Sequence, residues 1–249
     1  MKKLQLFLIL ATTMLLASCA GDSSLPLVFR NYEKNANAQG PEGVPASLEL
    51  TLPIPIGEGE QQTNVANAIK ELISRSSLAE EIGAPEGETL EAIGENFFER
   101  FRKGVSKGEL ETLCVYHLQI ISPYRNAQCA VLEVSDGVYG NGGPRESVWI
   151  VRLSDGRMMT PQEVSTMTRD DLIQLAQQYA NEQEKEDISL NLEDFWLWPI
   201  AEQCKIKAQT GTHFYHDFVV PTESVLPYLT NEGKKLFGLD STGLIEDNK

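Results

Sequence analysis

The sequence predicts an α+β fold: two small mixed subdomains, with mostly antiparallel sheets and helices packed on one face. Three observations predict it. Hydrophobic spacing switches between the helical and the strand period along the chain, without the regular strand–helix–strand repeat of a parallel sheet. Turn-forming runs, Ser122-Pro123-Tyr124-Arg125-Asn126 and Ser154-Asp155-Gly156, sit between strand-like segments. Composition, with 41% hydrophobic and 23% charged residues, suits a chain that buries a core.

The elements follow in order. Leu25 to Tyr32 and Ser47 to Ile54 read as strands on either side of a Gly/Asn/Pro-rich connection. Val65, Ala66, Ile69, Leu72 and Ile73 recur at helical spacing, as do Leu90, Ile93, Phe97, Phe101 and Val105 after a Gly/Pro break. The period then changes. Cys114, Tyr116, Leu118 and Ile120 alternate with more polar neighbours, and Ala130, Leu132 and Val134 do the same, which predicts an antiparallel hairpin. Val148 to Leu153 is a further strand. Thr168 and Asp171 form a capping box, opening a helix that turns Leu172, Leu175, Ala176 and Tyr179 inward. Glu182 to Asp187 reads as a charged, solvated run. Phe195 to Ile200, Cys204 to Ala208 and His213 to Val220 read as strands, and Pro221-Thr222-Glu223 starts a short final helix.

The N-terminus gives an address. Lys2 and Lys3 precede an apolar run, Leu4 to Leu16, of signal-peptide length and too short to span a bilayer comfortably. Leu16-Ala17-Ser18-Cys19, followed by Ala20, resembles the lipobox of bacterial lipoproteins. That resemblance implies cleavage before Cys19 and acylation of its thiol and amine, giving stable attachment to a lipid bilayer. The expected location is the cell envelope, in the outer membrane, on its periplasmic or surface side. Residues 1–18 are then the signal peptide and 19–24 the tether.

Charge excludes one class of partner. The chain carries −15, and without Lys2 and Lys3 the mature body carries −15 − 2 = −17. Nucleic acid is not an expected partner, because phosphate binding needs a basic face. A basic protein partner suits the balance.

Catalytic signatures are sparse. The glycines of Gly137 to Gly143 precede a strand, whereas phosphate loops precede a helix, and no G-K-[ST] ending follows. This reads as a turn. His117, His213 and His216 are the three histidines, and strand alternation sends His213 and His216 to opposite faces, so no metal site or cofactor is expected. No G-x-S-x-G elbow occurs. Besides Cys19, the cysteines are Cys114, Cys129 and Cys204; any two could pair, or all could be buried small hydrophobes. Glu91, Glu95 and Glu99 share a helical face read as solvated, with Arg100, Arg102 and Lys103 nearby. For ligand binding, Trp196 and Trp198 fall on one face of a strand, where indoles stack on sugars or anchor proteins, or else bury the sheet against a helix. Tyr139, Tyr124 and Arg125, in or beside turns, are candidate rim contacts.

Two stretches carry a family resemblance. Tyr139-Gly140-Asn141-Gly142-Gly143, a strand, and then Leu153 to Val164 are similar to the extracellular domain of lysozyme-sensing anti-sigma factors. His213 to Leu229 resembles that domain's closing strand and helix. Phe29 to Ser77 and Leu113 to Tyr139 resemble its companion domain, which is also fused to some peptidoglycan deacetylases. The resemblance implies a companion-like domain over residues 25–144, an anti-sigma-type domain over 145–237 and a tail over 238–249. It implies extracytoplasmic recognition of a protein, a lysozyme-like hydrolase, or of an envelope glycan. The family's turn histidine is absent here, so no binding residue carries over. Without a transmembrane span or cytoplasmic segment, signalling by this chain alone is not expected. A non-enzymatic binding role is the principal expectation. A glycan- or peptidoglycan-processing enzyme with a concealed carboxylate pair, or a structural subunit of an envelope complex, are the alternatives.

Overall fold

A computed structural model describes residues 27–139, 144–200, 203–211 and 214–239. The signal peptide, Cys19 and the tether, residues 140–143 of the glycine turn, His213 and residues 240–249 lie outside the described residues.

The architecture is α+β, as the periodicities predict. Strands β1 (Val28–Gln39) and β2 (Pro45–Ile56) form a long antiparallel hairpin, Val28 opposite Ile56 and Gln39 opposite Pro45. Glu33 to Gln39, read from sequence as connection, are strand; the turn shrinks to residues 40–44, where Gly43 takes φ +75°. β3 (Val115–Arg125) then joins β2 in parallel, the one parallel pairing of the sheet. β4 (Cys129–Tyr139), β5 (Arg145–Arg152) and β6 (Met158–Met159) follow antiparallel, in the order β1-β2-β3-β4-β5-β6. A second sheet holds β7 (Leu192–Ile200), β8 (Gln203–Thr210) and β9 (Phe214–Pro221), all antiparallel.

A parallel step needs a long crossover. Helices α1 (Glu60–Ser74), α2 (Ser77–Ile82) and α3 (Leu90–Lys107) supply it. They bury Ile69, Leu72, Phe97, Phe98 and Phe101 against Leu48, Leu50, Leu118, Ile120 and Leu132 of the larger sheet. Gly94 lets α3 approach β1: a Cβ there would lie 2.6 Å from the Tyr32 ring. Asp136, buried on β4, accepts hydrogen bonds from the Ser77 amide and hydroxyl and so holds the start of α2.

On the smaller sheet, Leu197, Ile206, Ala208, Phe218 and Val220 pack with Leu172, Leu175 and Ala176 of α5 (Arg169–Tyr179) and Ile188 of α6 (Glu182–Asn191). The capping box at Thr168 opens α5 as read. Glu182 to Asp187, read as a charged, solvated run continuing that helix, holds no buried residue but begins a separate helix, α6, with its own capping box between Asn181 and Glu184. Short helices α4 (Pro161–Val164), α7 (Thr222–Val225) and α8 (Asn231–Leu236) close the end of the chain.

The expected boundary between residues 144 and 145 falls between β4 and β5, which are hydrogen-bonded neighbours: Ala130 faces Val151 and Asp136 faces Arg145. The first sheet therefore draws β5 and β6 from beyond it. The two hydrophobic clusters meet through β4 and β5. Ala130, Leu132 and Val151 face the α1–α3 side, while Cys129, Val131, Val148 and Ile150 belong to the second cluster.

Candidate functional site

Strand alternation puts Trp196 and Trp198 on one face of β7, opposite Lys207 and Lys205 of β8. That face is turned inward, toward β4 and β5 of the larger sheet, and Trp196 also borders a small gap with Pro161 and Val164 of α4. Lys207 Nζ lies 2.8 Å from Glu146 on β5, Lys205 Nζ lies 3.9 Å from Glu133 on β4, and the Tyr215 hydroxyl donates to the Glu146 carbonyl. Trp198 is 0% exposed, its ring 5.4 Å below the Lys205 ammonium, so it offers no face to a sugar or a partner. Trp196 is half-buried and tilts against Tyr215 at 6.2 Å. Burial tends to lower the pKa of Lys207, but its bond to Glu146 and the charges of Glu133 and Asp217 outweigh that and raise it. The tryptophan face is a charged seam between two sheets.

The three rim candidates do not gather. Tyr124 packs against the second hydrophobic cluster, burial raises its pKa, and its hydroxyl accepts from Asn126. Arg125 donates from Nε to the Leu27 carbonyl at 2.5 Å and lies over the Phe29 ring, pinning the start of the described body. Tyr139 is 37% exposed and meets His117 edge-on at 5.5 Å. Tyr124 pairs with Val131 on β4, eight residues from Tyr139, a distance of roughly 27 Å at the strand rise.

The remaining candidates resolve into structural contacts. Cys114, Cys129 and Cys204 are buried free thiols; burial pushes Cys129 and Cys204 up to about 12. Glu91 and Glu95 meet Arg30 and Lys34 of β1, not the helical cations nearby. No group of three or more metal-ligating side chains occurs among the described residues. Every carboxylate with a clear shift is lowered: Glu95 by Lys34, Asp155 by Arg152, Glu163 by the Thr160 amide and Asp171 by the Thr168 hydroxyl.

An open cleft of about 500 Å³ lies where the C-terminal end of α6 meets the β8–β9 end of the smaller sheet. Asp187, Asn191, Thr210, Gly211, Phe214 and His216 line it. In its floor, His216 Nε2 lies 3.4 Å from Asp187 Oδ2, which also accepts from Gln183 at 2.9 Å. Phe214 is 72% exposed. Leu190, 67% exposed, follows Asp187 by three residues and so lies on the same side of α6. Exposing such side chains to water is unfavourable until a partner covers them. The chain flanking it is acidic: Glu182, Glu184, Glu186, Asp187, Glu193 and Asp194 against Lys185 alone, six negative charges to one positive within residues 182–194. Of the cleft residues, His216 is named from sequence among the histidines and Asp187 only as the end of a charged run. The available signals were an aromatic just past a glycine turn and a run of acids beside it.

The fold has solved counterparts. Two crystal structures of DUF3298-family proteins match it, one from Bacteroides fragilis and one from Pseudomonas aeruginosa. The first gives a TM-score of 0.53 over 84% of this chain and 96% of the other, the second 0.50 over 83% and 95%, both at 10% identity. At that identity the likeness is one of fold. No protein-family model matches the sequence, and neither does any curated protein sequence.

Proposed function

We propose that this chain is a non-enzymatic, lipid-anchored protein of the bacterial cell envelope that binds an extracytoplasmic protein with a basic surface. The observation that carries the reading is the cleft beside α6, open, lined by exposed Phe214, with exposed Leu190 on the same helix and an acidic run alongside. Apolar anchors at the centre and complementary charge around them are what protein recognition uses. A lysozyme-like hydrolase is the partner class that the sequence resemblance supplies, and such enzymes present basic faces. The lipobox-like Leu16 to Cys19 supports the address. Among the described residues no helix is long and apolar enough to cross a membrane.

Two experiments test this. Metabolic labelling with an alkyne fatty acid should mark the full-length protein and not Cys19→Ser; equal labelling, or none, removes the anchor. Interferometry of the body from Ala20 to Lys249 against a lysozyme panel, with solubilised peptidoglycan fragments alongside, should give saturable lysozyme binding that weakens with salt. Binding of the glycan fragments alone would replace the protein partner with an envelope glycan.

A further inference from the structure

We infer that the cleft at the end of α6 is a socket for one basic side chain, a lysine or arginine, that its partner inserts together with a flanking apolar residue. The inference rests on the proposed binding role and names the chemistry of its contact. Four features point to a cation with an aliphatic stem. Asp187 is only partly covered, and its Oδ1 has no hydrogen-bond partner among the described residues. α6 ends at Asn191 with no basic residue in its last turn, so no cationic side chain of the helix itself offsets the negative end of its dipole. Gly211 N donates to Asn191 O at 3.3 Å, which seats the β8–β9 end against that helix terminus and walls the cleft. Phe214 supplies an exposed ring face, on which a guanidinium or an ammonium stem stacks.

Size and charge fit the same occupant. A cleft of about 500 Å³ exceeds a single side chain and suits a short peptide segment. The six acids to one base in residues 182–194 disfavour an anionic ligand at this place and steer a basic one toward it. An uncharged sugar would use Asn191, Thr210 and Phe214 without needing Asp187. The test separates these two occupants.

Isotope-labelled body would be titrated with Nα-acetyl-lysine methylamide and with its neutral analogue Nα-acetyl-norleucine methylamide, followed by amide shifts. The expected result is a saturable set of shifts at Asn191, Thr210, Gly211, Phe214 and His216 with the lysine amide only. Asp187→Asn should abolish them, and Phe214→Ser should weaken them about tenfold. Phe214 is exposed and Asp187 partly so, and unchanged thermal unfolding would confirm the folding of both variants. Equal shifts with norleucine, shifts elsewhere, or shifts retained in Asp187→Asn would overturn the socket. The same variants on the lysozyme sensor distinguish the two claims. Lysozyme binding that Asp187→Asn leaves intact refutes the socket and keeps the binding role. Lysine-amide shifts in the cleft without any lysozyme binding keep the socket and refute the hydrolase partner.

Discussion

Single residues decide how closely the elements approach. Gly233 opens α8 onto α4: a Cβ there would lie 2.1 Å from the Val164 carbonyl oxygen, a backbone atom that cannot swing aside. Gly233→Ala should cost about 1–3 kcal/mol in urea unfolding, and an unchanged midpoint would mean the two helices are not seated as described. Trp198 is the opposite case, a side chain whose value is bulk. Trp198→Ala should cost about 3–5 kcal/mol while leaving lysine-amide binding in the cleft intact at temperatures where the variant is folded. Sequence spacing placed both indoles on one face correctly. It could not say what covered that face, because Lys205 and Lys207 alternate with Cys204 and Ile206 as solvent-facing residues would. Glu133 and Glu146, far off in sequence, make their burial tolerable.

At the scale of elements, the long periodic segments were legible and the short or weakly patterned ones were not. α1, α3, α5 and the β3–β4 hairpin carry enough apolar residues at one period to announce themselves. α6 buries Ile188 alone, so its pattern is nearly all polar, and its capping box was the one usable signal. β6 has two residues and α8 six, too few to show a period. The cap of α6 matters for the site, because that helix carries Asp187, Leu190 and Asn191. Asn181 accepts from the Glu184 amide at 3.0 Å, and Glu184 accepts from the Asn181 amide at 3.2 Å. Asn181→Ala should destabilise by about 1 kcal/mol. Amide exchange checks it: protection should fall first in α6, and a uniform loss across the protein would contradict this local role.

For the whole molecule, acidity shapes both stability and encounter. Arg152 ties β5 to the Asp155 turn and, at 2.7 Å, to Glu232 of α8. Its guanidinium holds Asp155 down at about 2, and hydrogen bonds with Thr160 and Thr168 lower Glu163 and Asp171. These folded values lie below the unfolded ones, so their stabilisation is present above roughly pH 4 and is lost as pH falls toward 2. Urea midpoints should therefore drop between pH 4 and 2. Asp155→Asn should flatten the lower part of that fall, and an unchanged slope would remove the Arg152 pair from the account. The same excess of negative charge should draw a basic partner to the cleft side. The layer order was not legible in the sequence, since nothing in residues 145–159 signals that they complete the first sheet before the chain leaves for the second.

The central claim is that the cleft beside α6, lined by exposed Phe214 and with an acidic run alongside, receives a basic protein. One measurement addresses it most directly: lysozyme affinity of the wild-type body and of a variant carrying Glu182→Gln, Glu184→Gln, Glu186→Gln and Asp187→Asn, each at 50 and 300 mM salt. The wild type should lose affinity steeply with salt, and the neutralised variant should bind more weakly at low salt, by about tenfold or more, with a shallower dependence. Equal affinity of the two proteins at both salt concentrations would contradict it.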